Sequence, residues 1–148
     1  MTNKYSVDKA AATISAIRDY ENMRQILNNT PDSIKIQYEN LLNPRSTALD
    51  GIPGAQNSHA GEDMWAAGLD RLDLMRSRYH EADLFIMWFE PMWLALSEQE
   101  RMLLETYKSD SRSGAMAVLA NKLQYSIRQL TRFRQKALDR LSKLLFGY

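Results

Sequence analysis

The chain has 148 residues, 45% of them hydrophobic and 25% charged, a composition that fits a folded globular protein and excludes a disordered one. It contains no cysteine, which excludes a disulfide framework and thiolate-bound zinc or iron–sulfur sites and fits a reducing compartment. The net charge of +1 is unevenly spread: residues 111–148 hold eight basic residues against Asp139 alone, a net +7, and the first 110 residues carry −6.

A basic end on an acidic body suits a docking surface for phosphates, and it equally suits a solvated helix face, so charge alone does not decide. The stretch from Met1 to Asp8 lacks the apolar core of a signal peptide. The apolar run Leu84–Phe89 has six residues, against about 18 for a membrane span. These features predict a soluble protein of the cytoplasm with no membrane partner.

In chain order, Val7, Ala10, Ala11, Ile14, Ile17, Met23 and Leu27 recur at helical spacing and predict a first helix that Asn28-Asn29 ends. Thr30 as N-cap and Pro31 at the first helical position open a short second helix carrying Ile34, Tyr38 and Leu41, which Pro44 stops. Residues 43–61 hold Pro44, Gly51, Pro53, Gly54 and Gly61 and are expected to form a flexible linker, with a tight turn at Gly51-Ile52-Pro53-Gly54. The linker separates an N-terminal helical arm, residues 1–42, from the rest.

A long helix over about Glu62–Glu90 follows, ended by Pro91. Trp65, Leu72, Tyr79, Ile86 and Trp93 repeat every seven residues, and Met75, Ala82 and Phe89 follow three of them by three, which makes a heptad seam. Residues 62–95 thus form a helix whose seam packs on the first helix or on a second subunit. Leu84–Phe89 is apolar all round and belongs in a core, with an aromatic cofactor box as the weaker reading.

The remaining segment, 96–148, is the best punctuated. Ser97 and Glu100 form a capping box ahead of a helix with Met102, Leu103, Leu104 and Tyr107. The polar run Lys108–Gly114 ends it, and a short helix from Ala115 to Leu123 comes next, with Val118, Leu119 and Leu123 facing inward. Three residues later Ser126 and Gln129 form a second capping box that opens a helix to about Phe146. A short helix, a three-residue turn and a longer capped helix is the spacing of a helix-turn-helix. In the last helix Leu130, Phe133, Ala137, Leu141 and Leu144 share a stripe, with Leu138 and Leu145 beside it. Arg128, Thr131, Arg132 and Gln135 fall on the opposite face, in the first turns, where a recognition helix enters the major groove.

Arginine matches guanine O6 and N7, and glutamine matches adenine N6 and N7. Ser126, at the helix start, is placed for a phosphate. With the basic Lys136 these residues make the candidate DNA-binding set read from the helix itself: Ser126, Arg128, Thr131, Arg132, Gln135 and Lys136. A bundle helix with a solvated basic face is the competing reading.

The pattern Leu96-Ser97-x-x-Glu100-Arg101-x-Leu103-Leu104-x-x-Tyr107, then Leu119-Ala120-x-x-Leu123-x-Tyr125-Ser126, then Lys136-Ala137-Leu138-x-x-Leu141 resembles region 4 of bacterial sigma factors. More closely, it resembles the ArpU/RinA-type phage transcriptional regulators of Gram-positive hosts, which carry a sigma-like C-terminal domain behind a helical N-terminal part. The resemblance covers about 50 residues at the C-terminal end and is loose over the first 95. It implies an all-α fold, duplex DNA as partner, and a DNA-reading face on Ile127, Arg128, Thr131 and Arg132. Two departures stand out: the link between Tyr107 and Leu119 is a few residues longer than usual, and Gln124 occupies a turn position that is often glycine. No promoter-melting region is visible, so a complete sigma factor is not expected.

The resulting expectation is a phage or prophage transcriptional regulator in the host cytoplasm, activating late genes as a homo-oligomer, a dimer, with host RNA polymerase as a further partner. A small terminase-type packaging protein and a polymerase-binding module with little DNA affinity are the alternatives. No enzyme, cofactor or metal site is expected. His59 and His80 lack ligand partners at a convincing spacing, and Asp70, Asp73 and His80-Glu81-x-Asp83 suit a solvated face. Nucleophile and phosphate-loop motifs are missing.

Overall fold

The computed structural model describes residues 4–42, 60–109 and 114–147. The fold is all-α: α1 (Lys4–Leu42), α2 (Ala60–Leu94), α3 (Glu98–Glu105) with a 3-10 turn at Thr106–Lys108, α4 (Ala115–Leu123) and α5 (Ile127–Phe146), with no strand among the described residues. No described helix is long and apolar enough to cross a membrane. The expected linker turn at Gly51-Ile52-Pro53-Gly54 and His59 lie outside the described residues; of positions 43–61, Ala60 and Gly61 open α2.

Two helix stops expected from the sequence are absent. Residues 4–42 form one helix with Pro31 inside it, not two helices parted at Asn28-Asn29. An asparagine stop works by adopting the left-handed conformation, and among the described non-glycine residues only Gln124 has positive φ. Ser33 Oγ donates to the carbonyl of Asn29 at 3.1 Å close to the proline. Likewise α2 runs through Pro91 to Leu94. Pro91 sits in the last turn, and its own carbonyl accepts from Ala95 N at 3.1 Å, so the helix closes past it.

The chain forms two compact units, one of Met1–Asn22 with Phe85–Tyr148 and one of Met23–Leu84. Their boundaries fall inside α1 and α2, not at the 43–61 stretch that divides the sequence.

In the first unit, Ala16, Ile17 and Tyr20 of α1, Phe89 and Trp93 of α2, Leu104 of α3 and Ala137, Leu138, Leu141 and Leu145 of α5 form one core. Aromatic rings carry much of it. The Phe89 ring stacks on Phe85 at 5.4 Å and on Trp93 at 5.6 Å, and Tyr20 meets Phe89 at 4.9 Å. The Tyr20 hydroxyl donates to Glu90 Oε2 at 3.1 Å, and Trp88 Nε1 donates to the carbonyl of Leu145 at 3.2 Å near the end of α5. Of the Leu84–Phe89 run, Phe89 is fully buried and Phe85 and Ile86 pack partly against the core, whereas Leu84, Met87 and Trp88 are exposed, so the run is buried on one face and not all round as expected. A second cluster joins Leu103, Leu119, Ala120 and Leu130, which fastens α3, α4 and α5 together.

The second unit is thinly packed. Leu41 of α1 lies so close to Gly68 of α2 that a Cβ there would require the Leu41 side chain to shift. Leu72 and Ala82 of the heptad seam are buried, whereas Trp65 and Tyr79 are exposed. Among the described residues, nine of the fifteen exposed large hydrophobics belong to this unit, so its own two helix segments do not cover their apolar surface.

Candidate nucleic-acid interface

The segment α4, residues 124–126 and α5 has the expected boundaries, and each end has a local cause. Gln124 takes the left-handed conformation at φ 59°, and its N–H and that of Tyr125 both return to the carbonyl of Ala120, which ends α4. The Tyr125 ring then sits edge-on to Phe133 of α5, centroids 5.3 Å apart, and ties the turn to the next helix. Ser126 opens α5: its Oγ accepts from Gln129 N at 3.2 Å, and Gln129 Oε1 accepts from Ser126 N at 3.1 Å. Gly147, at φ 79°, closes the other end with its N–H on Lys143.

Burial along α5 divides as the spacing predicts. Leu130, Ala137, Leu138, Leu141 and Leu145 are buried, and Ser126, Ile127, Arg128, Thr131, Arg132, Gln135 and Lys136 are all exposed. The seven expected residues therefore share one accessible surface over the first half of the helix. Their partners differ. The Ser126 hydroxyl is held by the cap, since it also donates to Gln129 Oε1 at 3.2 Å. Thr131 Oγ1 donates to the carbonyl of Ile127 at 2.8 Å, and Gln135 Nε2 donates to Asp139 Oδ1 at 3.2 Å. Ile127 is 53% exposed, a bare apolar contact at the head of the helix.

The basic residues of the C-terminal segment fall into two groups that the sequence does not separate. Arg134 is built into the fold: its guanidinium lies 4.4 Å from the Tyr107 ring centroid and donates to Thr106 Oγ1 at 3.2 Å. Arg140 is paired with Glu100 at 2.6 Å. Within the described residues, Arg128, Arg132, Lys122, Lys136 and Lys143 make no side-chain hydrogen bond or ion pair and are exposed. Lys136 also borders a shallow groove of about 280 Å³ between α3 and α5, beside Gln99, Glu100 and Arg140.

On α4, Val118 faces outward at 69% exposure, contrary to the sequence expectation. The inward stripe is Met116, Leu119, Ala120 and Leu123, and position 118 falls roughly opposite it at 100° per residue. Val118 and Lys122 instead line a depression of about 370 Å³ with Met102, Glu105 and Thr106. Lys122 was not in the sequence-derived set; a helical wheel of α4 places it outside the inward stripe. Among the described residues there is no group of three or more potential metal ligands.

The chain matches no protein-family model, no curated protein and no solved structure.

Proposed function

We propose that this chain is a sequence-specific, duplex-DNA-binding transcriptional regulator of phage or prophage type. In this reading α4, the 124–126 turn and α5 act as a helix-turn-helix, with α5 as the recognition helix. The observation that carries it is the sorting of charge on α5: Arg134 and Arg140 serve the fold, while Arg128 and Arg132 stand exposed and without partners among the described residues.

Each residue then has a chemical role. Arg128 and Arg132 carry the paired donors that match guanine O6 and N7, Gln135 matches adenine, and the Thr131 methyl and Ile127 offer apolar contact to thymine methyls. Ser126 holds the N-terminus of α5, whose dipole favours a phosphate, and Lys122 and Lys136 supply sequence-independent attraction to the backbone. One such motif reads a short half-site, so a second copy of the chain supplies the other half. The uncovered apolar surface of Met23–Leu84 supports self-association. The sigma-like pattern supports host RNA polymerase as a further partner and activation of late genes as the outcome.

The test is duplex-DNA binding across a range of salt concentrations. The logarithm of the association constant should fall steeply with the logarithm of salt, and Arg128→Ala with Arg132→Ala should weaken binding and flatten that slope. Unchanged affinity in the double variant overturns the assignment of the reading face. The same surface on Met23–Leu84 also favours a DNA-packaging ring, so the mass of the assembly separates the two: a dimer supports regulation, and a ring of many subunits supports packaging.

A further inference from the structure

Asp139 is the one acidic residue among the last 38 of the chain. At about 100° per residue it falls on the same line of α5 as Arg128, Arg132 and Gln135. A carboxylate there opposes phosphate on the very surface that the basic residues make attractive, so its placement calls for a reason. The structure supplies one: Asp139 Oδ1, one turn beyond Gln135, accepts a hydrogen bond from Gln135 Nε2 at 3.2 Å, and both residues are exposed.

We propose that Asp139 is a positioning residue that fixes the Gln135 amide in the orientation that reads adenine. The proposal rests on the reading of α5 as a recognition helix. A glutamine amide has an acceptor end and a donor end, and on an open helix surface it can present either. An ionised aspartate only accepts, so it engages the NH2 end and disfavours the flipped amide, which would set two oxygens against each other. The amide nitrogen carries two hydrogens. One goes to Asp139, and the other, beside Oε1, leaves an adjacent donor and acceptor free.

That pair is complementary to adenine, whose N6–H donates and whose N7 accepts in the major groove. Guanine offers two acceptors at the same edge and leaves Oε1 facing an oxygen. In the groove, with water displaced, a hydrogen bond to a charged acceptor strengthens, so the constraint tightens where it is used. Asp139 thus gives up some general attraction to DNA and gains discrimination at one base pair.

The test is selection of binding sites from a randomised duplex library by the full chain and its variants Gln135→Ala, Asp139→Ala and Asp139→Asn. The native chain should enrich a motif with adenine at one position that Gln135→Ala flattens. Asp139→Ala should lower the preference at that same position by at least about threefold and leave the other positions unchanged. Asp139→Asn offers a donor as well as an acceptor and so no longer disfavours the flipped amide; it should lower the adenine preference as Asp139→Ala does, while binding every duplex more tightly. If Gln135→Ala flattens a position that Asp139→Ala leaves untouched, or if Gln135→Ala alters no position of a clear motif, the positioning role is overturned. Enrichment of no motif by the native chain overturns the recognition-helix reading itself, and this inference with it. The two failures are therefore distinct.

Discussion

Arg140 Nη1 of α5 lies 2.6 Å from Glu100 Oε1 of α3, and that same oxygen accepts the backbone N–H of Ser97 at 3.1 Å. One carboxylate thus closes the cap of α3 and pins α5 against it. The cap contributes about 1 kcal/mol, and with Arg140 half exposed the ion pair adds about 0.2–1 kcal/mol. Glu100→Ala should therefore cost about 1–2 kcal/mol in urea unfolding, and Arg140→Ala less than about 1 kcal/mol. Equal costs for the two would mean that the Glu100 carboxylate's bond to Ser97 N contributes nothing, since the Ser97 Oγ bond to the residue-100 N–H survives both changes.

Gln124 holds φ 59° in the turn between α4 and α5, where a side chain strains against its own carbonyl. Gln124→Gly should relieve that strain and stabilise the chain by up to about 1 kcal/mol, seen as a higher melting temperature. DNA affinity should stay the same, because the backbone already has the conformation a glycine favours. A loss of stability on this substitution would show that the Gln124 side chain makes a compensating contact.

Arg134 and Arg132 are two residues apart and should behave oppositely. The Arg134 guanidinium covers the Tyr107 ring and bonds Thr106, and Arg18 Nε donates to the Tyr107 carbonyl at 2.9 Å, so Tyr107 is held from α1 and from α5. Arg134→Ala should destabilise by about 1–2 kcal/mol, the loss of a cation–π contact and a hydrogen bond. Lysine should restore little of it, because it lacks the planar fork. Arg132→Ala should leave the urea midpoint within about 0.5 kcal/mol of the native chain, as surface changes do, and act on DNA affinity.

Ile17 of α1 is fully buried in a core that joins it, Ala16 and Tyr20 to residues from Phe89 onward. Ile17→Ala should cost about 2–5 kcal/mol and disturb the unit that carries α5. Near-ultraviolet circular dichroism from Trp93, whose ring lies 6.0 Å from Tyr20, checks this directly. An unchanged signal would mean that the first helix is independent of the C-terminal helices.

That packing marks where the sequence stops being readable. The limits of α4 and α5 follow from punctuation that acts within four residues: the Ser126 and Gln129 box, the turn at Gln124 and the apolar stripe of α5. The place of Ala16, Ile17 and Tyr20 does not follow, because a helical stripe states that a face is buried and not against what. Pro31 and Pro91 mislead for a related reason. Each removes one backbone donor locally, yet the helix continues through both, since residues on either side remain helical and neither site supplies a left-handed stop. The candidate surface was readable for Arg128 and Arg132, which face away from the stripe. Net charge alone does not separate Arg134 from these, although a wheel sets position 134 close to the buried side, where it meets Tyr107 and Thr106. The Gln135–Asp139 bond was only implicit in a four-residue spacing.

The proposed self-association draws on the exposed apolar side chains of Met23–Leu84. Trp65 is 47% exposed and Leu69 42%, one turn apart on α2, and Tyr79 adds a second exposed ring further along. A helix pair that leaves such side chains in water gains by covering them, at about 25 cal/mol for each Å² of apolar surface removed. Light scattering coupled to size exclusion should therefore give an assembly larger than one chain. Trp65→Glu with Leu69→Glu should reduce it to the monomer mass without loss of helical signal, because both side chains already stand outside the buried set. The monomeric variant should then bind a single half-site with the same base preference as the native chain but bind a paired site far more weakly. A native chain that elutes as a monomer at all concentrations would remove the second copy from the proposal and leave α5 to act alone.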